Sequence, residues 1–349
     1  MTQFRIAALP ADDGDCLVIS YGEEAALRHI VIDAGRQGTA QRLTSYLSAE
    51  SISRLELLIV THIDADHIEG MLDFLDHQPN LVIEDIWFNG YKHLLEGLDP
   101  MGAPQGEMLT SRIKQRCWNH KFGGHAVCIS NNGSPISVPA LDGGMQLTIL
   151  SPSRPKLAKL APVWERECES QGLIPGVGAA EVRREVGLET LGAGLVEMAD
   201  MVTKEDKSAA NGSSIALLAE YNGKRVLLAA DAHSDLLCQS LAHLNGGAPV
   251  HLDLFKVPHH GSQANVTKAL MAAVRCNDFL VSTSGARHGH PNQPGVARMV
   301  MGSDGPARLR FNYLQPQTQF WRDRTRSADE PDYECEFPDT EHGICIELL

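Results

Sequence analysis

Thr61-His62-Ile63-Asp64-Ala65-Asp66-His67-Ile68-Glu69-Gly70 sets two imidazoles and two carboxylates between residues 62 and 67. Just ahead of it, Leu55 to Val60 is a near-continuous apolar run, the pattern of a strand covered on both faces. Just behind it, Ile68, Met71, Leu72 and Leu75 recur at the spacing of one helix face. A strand is rigid, and the turn that follows it can aim several side chains at one point, so this junction suits a site. Imidazole together with carboxylate suits zinc, manganese or iron. The competing reading is a solvated acidic turn whose aspartates cap the helix.

Working outward, strand and helix signals alternate. Phe4 to Leu9, Cys16 to Tyr21 and His29 to Asp33 read as strands, and Thr39 to Ala49 as a helix. Leu81 to Phe88 and Met145 to Leu150 read as further strands. A second series follows: Ser214 to Tyr221, Arg225 to Ala229, Leu252 to Val257 and Phe279 to Ser282, with helices expected at Ser234–Leu244 and Val266–Val274. Leu309-Arg310-Phe311 and Gly343 to Leu348 read as strands that finish a sheet. Three of the later strands end on chemistry: one on Asp231, one on His259-His260-Gly261-Ser262, and one on Ser284, Arg287, His288 and His290. Each is weak alone, since a strand-end Asp is commonly a turn residue. Together with the 62–67 turn they suggest one site at one edge of the sheets.

The composition narrows the class. The chain has 349 residues, 43% of them hydrophobic, with 30 Lys and Arg against 44 Asp and Glu for a formal charge of −14. That is enough chain for a sizeable core, and the charge argues against coating nucleic acid over the whole surface. No apolar run is long enough to span a membrane, and the start shows no leader-like stretch, so a cytoplasmic protein is expected. The eight cysteines are scattered singly, which predicts reduced thiols rather than a zinc ribbon. Residues 152–210 are polar and mixed, with helical stretches around Ala179–Leu191, and are expected to form an insertion or cap within a single domain spanning 1–349. The strip Arg112, Lys114, Arg116, His120, Lys121 and His125, interleaved with Trp118 and Phe122, reads either as a helix with a basic face or as a groove for single-stranded nucleic acid. Trp321 to Arg326 has the same ambiguity. There is no Gly-x-Ser-x-Gly elbow and no phosphate-binding Gly-x4-Gly-Lys-Ser/Thr loop.

The order Gly14-Asp15, Val31-Ile32-Asp33-Ala34-Gly35, His62-x-Asp64-x-Asp66-His67 and Asp231 resembles the metallo-β-lactamase superfamily. With Lys256-Val257-Pro258-His259-His260-Gly261-Ser262 and Gly289-His290-Pro291 it is most similar to the hydrolase domain of ComEC-type DNA-uptake proteins. The resemblance implies an α/β fold, a four-layer αββα sandwich, with two divalent ions at one edge. It implies that His62 and Asp64 hold one ion, Asp66 and His67 the other, and Asp231 bridges them. One of His259 and His260 completes the second position, because neighbours on an extended chain point opposite ways. Asp15 and Asp33 would orient ligands. The usual further histidine ahead of the bridging Asp is missing; Asn211-Gly212-Ser213-Ser214 stands there. An oxygen-richer donor set leaves zinc and manganese both open, with magnesium as a third choice.

Two ions about 3.5–4 Å apart share a hydroxide and clamp a substrate oxygen, chemistry that serves phosphate esters, carboxylic esters, lactones and lactams alike. Ser284, Arg287, His288 and Asn211 are candidate substrate contacts, and a histidine among His259, His260 and His290 is the candidate proton donor, beside Asp66. The leading expectation is a phosphodiesterase or nuclease acting on DNA or RNA. The alternatives are a small-molecule ester, lactone or lactam hydrolase, and a non-catalytic binding subunit on a degenerate metallo-hydrolase scaffold. A protein partner or a homo-oligomer is compatible with either.

Overall fold

Along Thr2–Ala8, Phe4, Ile6 and Ala8 face one way and Ala7 the other, the two-residue period of a strand buried on both faces. The same parity recurs in Leu57–Ile59, where Leu57 and Ile59 oppose Leu58, and in Lys224–Leu228, where Val226 and Leu228 oppose Leu227. The computed structural model describes residues 1–78, 80–94, 104–170 and 194–349. Among them, two sheets pack face to face. One runs, in spatial order, Ile344–Glu347, Thr2–Ala8, Leu17–Glu23, Arg28–Ile32, Leu57–Ile59 and Ile86–Trp87. The other runs Tyr333–Glu336, Ala307–Phe311, Asp278–Val281, Leu254–Lys256, Lys224–Leu228, Ala216–Tyr221, Gln146–Ser151 and Ile136–Ser137.

Three apolar clusters follow from this layering. Phe4, Ile6, Ile19, Leu217, Leu228, Leu254 and Leu280 fill the space between the sheets. Helices Thr39–Ala49, Ala65–His77, Pro104–Ile113 and Arg154–Ser170 cover the outer face of the first sheet, with Leu43, Met71, Leu109 and Trp164 in that core. Helices Leu195–Asp200, Ser234–Leu244 and Gln293–Gly302 cover the second, with Met198, Leu237 and Val296. Each fully buried Leu, Ile or Phe is worth about 1.5–3 kcal/mol relative to exposure. The result is the four-layer αββα sandwich.

Two expectations change in detail. Leu81 to Phe88 is two short strands in different sheets, Val82–Ile83 beside Arg54–Leu55 and Ile86–Trp87 beside Leu57–Ile59. Asp85 makes the break: its carboxylate accepts from the backbone N–H groups of Ile86, His120 and Lys121 and from the Trp87 indole. The Val266–Val274 helix shortens to Lys268–Ala272, capped by the Thr267 hydroxyl, and Val274 already belongs to a strand. The described flanks of 152–210 pack into both outer helical layers, through Leu157, Leu160 and Trp164 on one side and Leu195 and Met198 on the other. The stretch Ala179–Leu191 lies outside the described residues. No helix among the described residues is long and apolar enough to cross a membrane.

The parallel strands deliver their ends to one edge. Arg28–Ile32 pairs in parallel with Leu57–Ile59, and Lys224–Leu228 with Leu254–Lys256, which pairs with Asp278–Val281. Beyond those ends lie Asp33, His62, Asp231, His259-His260 and Ser282. Hydrogen bonds clamp the two sheets together there: Ile215 N–H to the Thr61 carbonyl at 2.9 Å, the Ser282 hydroxyl to the Gly14 carbonyl at 3.0 Å, and Asn312 Nδ2 to the Leu9 carbonyl at 3.1 Å.

Candidate metal centre

Asp231 is 2% exposed and sits at the centre of four imidazoles. His260 Nε2 and His259 Nε2 lie 3.5 and 3.7 Å from its Oδ2, His62 Nε2 4.0 Å from the same oxygen, and His67 Nε2 3.5 Å from Oδ1. Every one of these Nε2 atoms is the lone-pair nitrogen of its ring, because the other nitrogen is already committed. His67 Nδ1 donates to Asp33 Oδ2 at 2.7 Å, and His260 Nδ1 donates to the Ser282 carbonyl at 2.8 Å. The Thr61 hydroxyl gives its proton to Asp33 at 2.7 Å, so it accepts from His62 Nδ1 at 3.0 Å. Asp33 thus fixes the His67 ring directly and the His62 ring through Thr61.

The backbone is bent to make this convergence. Ala230, His259 and His260 have φ of 46°, 48° and 53°, and Asp33 has 57°. Left-handed conformations cost non-glycine residues on the order of 1–3 kcal/mol each, and they cluster here at the strand ends. His259 and His260 therefore do not lie on an extended chain, and both rings turn toward Asp231. Gly14 is required on the opposite wall: a Cβ there would sit 1.6 Å from the Asp66 carbonyl oxygen.

Among the described residues, three sets of donor atoms lie within 4.8 Å of one another: His62, His67 and Asp231; Asp66, His67 and His260; and Asp15, Asp231 and His260. They contain His62, Asp66, His67, Asp231 and His260 from the expected ligands. Asp64 stands at the rim, its side chain 42% exposed, with a carboxylate oxygen 3.6 Å from His62 Nε2. It begins the Ala65–His77 helix, yet its side chain makes no capping bond. The Asp66 carboxylate is 3.6 Å from His260 Nε2 and 4.0 Å from His67 Nε2.

This donor set fits divalent cations. His62 Nε2 and Asp231 Oδ1 are buried with no hydrogen-bond partner, and His67 Nε2 faces His260 Nε2 at 3.3 Å. Two lone pairs at that separation call for a positive charge between them. The electrostatics say the same. Burial opposes ionisation of Asp231 and Asp66, yet the surrounding imidazoles hold both carboxyls well below the usual range. Burial likewise opposes a charged His67 or His260, yet Asp231, with Asp33 for one and Asp15 for the other, carries both far above an ordinary histidine.

Behind the donors stands a group with no expected role. Lys256 is 1% exposed, at an inward position of its strand, and its Nζ lies 2.6 Å from Asp15 Oδ2. Asp15 is also 3.5 Å from His260 Nδ1, so Lys256 neutralises the carboxylate that backs His260.

The remaining expected residues are divided. His290 stacks edge-on to His259, ring centres 5.2 Å apart, and His288 lies 6.1 Å beyond it, so the three imidazoles form a file leading away from Asp231. The file ends at Asp13, which is 3.7 Å from His288, 3.9 Å from Arg287 and doubly bonded by Arg36 at 2.7 and 2.8 Å. Ser284 is half-buried, and its hydroxyl accepts from the Ala286 N–H within its own loop. Asn211 is 4% exposed and donates to Asp206, 2.7 Å away, near His259. The basic strip is different from its expected form. Trp118 is buried against Phe88, its indole donating to the Phe88 carbonyl, and Phe122 packs edge-on against Trp87. Neither offers a free stacking face, while Lys114, Arg116 and Lys121 are exposed and Arg112 pairs with Asp76. Trp321 in the tail is likewise buried, beneath Tyr333.

The stretch that supplies Asp15, Asp33 and the 62–67 turn, residues 10–85, matches the family model described as the metallo-beta-lactamase superfamily. Within the chain, that stretch is similar to the superfamily's domain. Its layers and its His/Asp clusters support a metal-dependent, hydrolase-type scaffold. Among solved structures it is similar to a CmlA beta-hydroxylase E377D mutant at 11% identity and a TM-score of 0.37, over 99% of this chain and 54% of that one. The chain thus spans about half the length of that protein. No curated protein matches it.

Sequence reasoning missed Asp206, Asn265, Lys256, Thr61 and Arg36. Lys256 carried a signal, a charge in an apolar strand. Asp206 carried none, because Lys204-Glu205-Asp206-Lys207 looks like any solvated charged turn.

Proposed function

We propose that the chain is a phosphodiesterase that works with two divalent ions, manganese or zinc, and cleaves phosphodiester bonds of the kind found in nucleic acids. The observation that carries this reading is the file His259–His290–His288, which leads from the Asp231 cluster to Asp13 and, around that carboxylate, to the guanidinium groups of Arg287 and Arg36. A phosphoryl group develops charge on several oxygens at once, and a row of hydrogen-bond donors beside the donor cluster suits it better than it suits a neutral acyl group. When bound, the ions supply an activated water and neutralise phosphoryl charge.

In this reading His62, Asp64 and Asp231 hold one ion, and Asp66, His67, His260 and Asp231 hold the other. Asp33, Thr61 and the Ser282 carbonyl fix the ring orientations. His290, held neutral by burial and by the neighbouring imidazoles, donates a hydrogen bond to the leaving oxygen, and Arg287 with His288 grips the non-reacting side of the substrate.

A second reading, hydrolysis of a small ester or lactone, is favoured by the formal charge of −14 and by the inward packing of Trp118 and Phe122. A substrate panel separates the two. Purified protein reloaded with Mn2+ or Zn2+ should cleave bis(p-nitrophenyl) phosphate and single-stranded DNA or RNA, and should lose that activity in Asp66→Ala and His67→Ala. Neutralising Lys114, Arg116 and Lys121 should weaken nucleic-acid binding and flatten its salt dependence. Turnover of lactones with none of phosphodiesters overturns the first reading. No turnover and no bindable divalent ion leaves a binding subunit.

A further inference from the structure

Asp206 gathers the polar side chains on the side of Asp231 where the family's usual histidine is missing. Its carboxylate accepts from Asn211 Nδ2 at 2.7 Å, from Asn265 Nδ2 at 3.0 Å and from the Ser208 N–H at 2.8 Å, and His259 Nδ1 lies 3.4 Å away. These contacts determine more than position. An amide that donates to a carboxylate through its nitrogen has its oxygen turned elsewhere, so Asp206 fixes both asparagines in one orientation. Asn265 Oδ1 then accepts from His259 Nδ1 at 2.9 Å, which places the proton of His259 on Nδ1 and leaves the lone pair on Nε2. That Nε2 is the atom 3.7 Å from Asp231 Oδ2. Asn211 Oδ1, freed by the same constraint, is buried with no hydrogen-bond partner.

We propose that Asp206 is a positioning residue which, directly and through Asn265, locks His259 with its lone pair toward Asp231, so that His259 takes the place of the imidazole absent at Asn211-Gly212-Ser213-Ser214. The proposal rests on the two-ion reading of the site. It adds a nitrogen donor facing Asp231 Oδ2 and makes the retention of one ion depend on a carboxylate that touches no ion. Arg298 supports the arrangement from behind. It is 5% exposed, and its guanidinium donates to the carbonyls of Met201, Gln263 and Val266, tying the segment that carries Asp206 to the one that carries Asn265.

Mn2+ binding, followed by the paramagnetic resonance signal of the free aqueous ion, tests this without any turnover. Native protein should bind two equivalents. Asp206→Asn should bind the tighter one with unchanged Kd, an internal check that the fold is intact, and should weaken the other by about 10–100-fold. His259→Gln should show the same selective loss, and the double variant should be no worse than either single, because the two residues act as one device. Two ions held at native affinity by Asp206→Asn or by His259→Gln would overturn the proposal, as would additive losses in the double variant. Native protein that binds only one equivalent would overturn it together with the two-ion reading, whereas native binding of two with unaffected variants would sink the proposal alone.

Discussion

Replacing Lys256 with methionine tests whether the site is built on a buried ion pair. Lys256 lies between the two sheets at 1% exposure, 2.6 Å from an Asp15 oxygen and 3.2 Å from the Val257 carbonyl. At an effective dielectric of about 20, two unit charges at that separation attract by about 6 kcal/mol, most of which offsets the desolvation of both groups. Removing only the lysine leaves Asp15 charged, buried and facing His260, so Lys256→Met should cost about 3–5 kcal/mol of unfolding free energy. Asp15→Asn should also destabilise, and the double variant should recover about 2–3 kcal/mol relative to additive losses. The assay is urea unfolding of EDTA-treated protein, which keeps metal linkage out of the comparison, with midpoints compared at constant m. A loss under about 1 kcal/mol for Lys256→Met, or strict additivity of the two changes, would refute the claim that this pair carries the inter-sheet end of the site.

Two further outcomes follow from the same geometry. Gly14→Ala should displace the Asp66 backbone, because the new methyl would meet its carbonyl at 1.6 Å; Mn2+ affinity should fall at least about tenfold while the circular dichroism spectrum stays native. His93, buried and beside Lys92, is pushed down to about 3, so between pH 6.5 and 3 the unfolded chain binds a proton that the folded chain refuses. The stability from this group is complete above pH 6.5 and is lost as pH falls, at up to about 1.4 kcal/mol per unit, and His93→Gln should remove that slope from a pH series of urea midpoints.

The 62–67 turn was legible in the sequence because local chemistry and local pattern coincide there: an apolar strand, a helix of fixed period, and metal-type donors between them. The layers were legible for a related reason, since strand parity at Phe4, Ile6 and Ala8 or Val226 and Leu228 is written in neighbouring residues. Trp118 and Phe122 were not, because alternation of aromatic and basic residues looks alike whether the rings face a core or a nucleic acid. The pair His259-His260 misleads for a physical reason as well: opposed side chains follow only from extended backbone, and these two residues have positive φ.

What no local pattern could disclose is how one charge makes another tolerable. Lys256 in an apolar strand is unfavourable until Asp15, from the other end of the chain, is placed 2.6 Å away. Asp206 in a charged turn is unremarkable until Arg298 pins that turn beside Asn265 and His259. In both cases the partner arrives only with the tertiary fold, and in both it controls an imidazole that faces Asp231. The ligands of such a site can be read from sequence because coordination demands particular residue types. The groups that set their orientation cannot, because any carboxylate, amide or backbone carbonyl at the right distance will serve. Thr61, the Ser282 carbonyl and Asn265 do the same task here with three different chemistries. Substitutions at those orienting positions should therefore alter ion retention while leaving every metal-type residue in place.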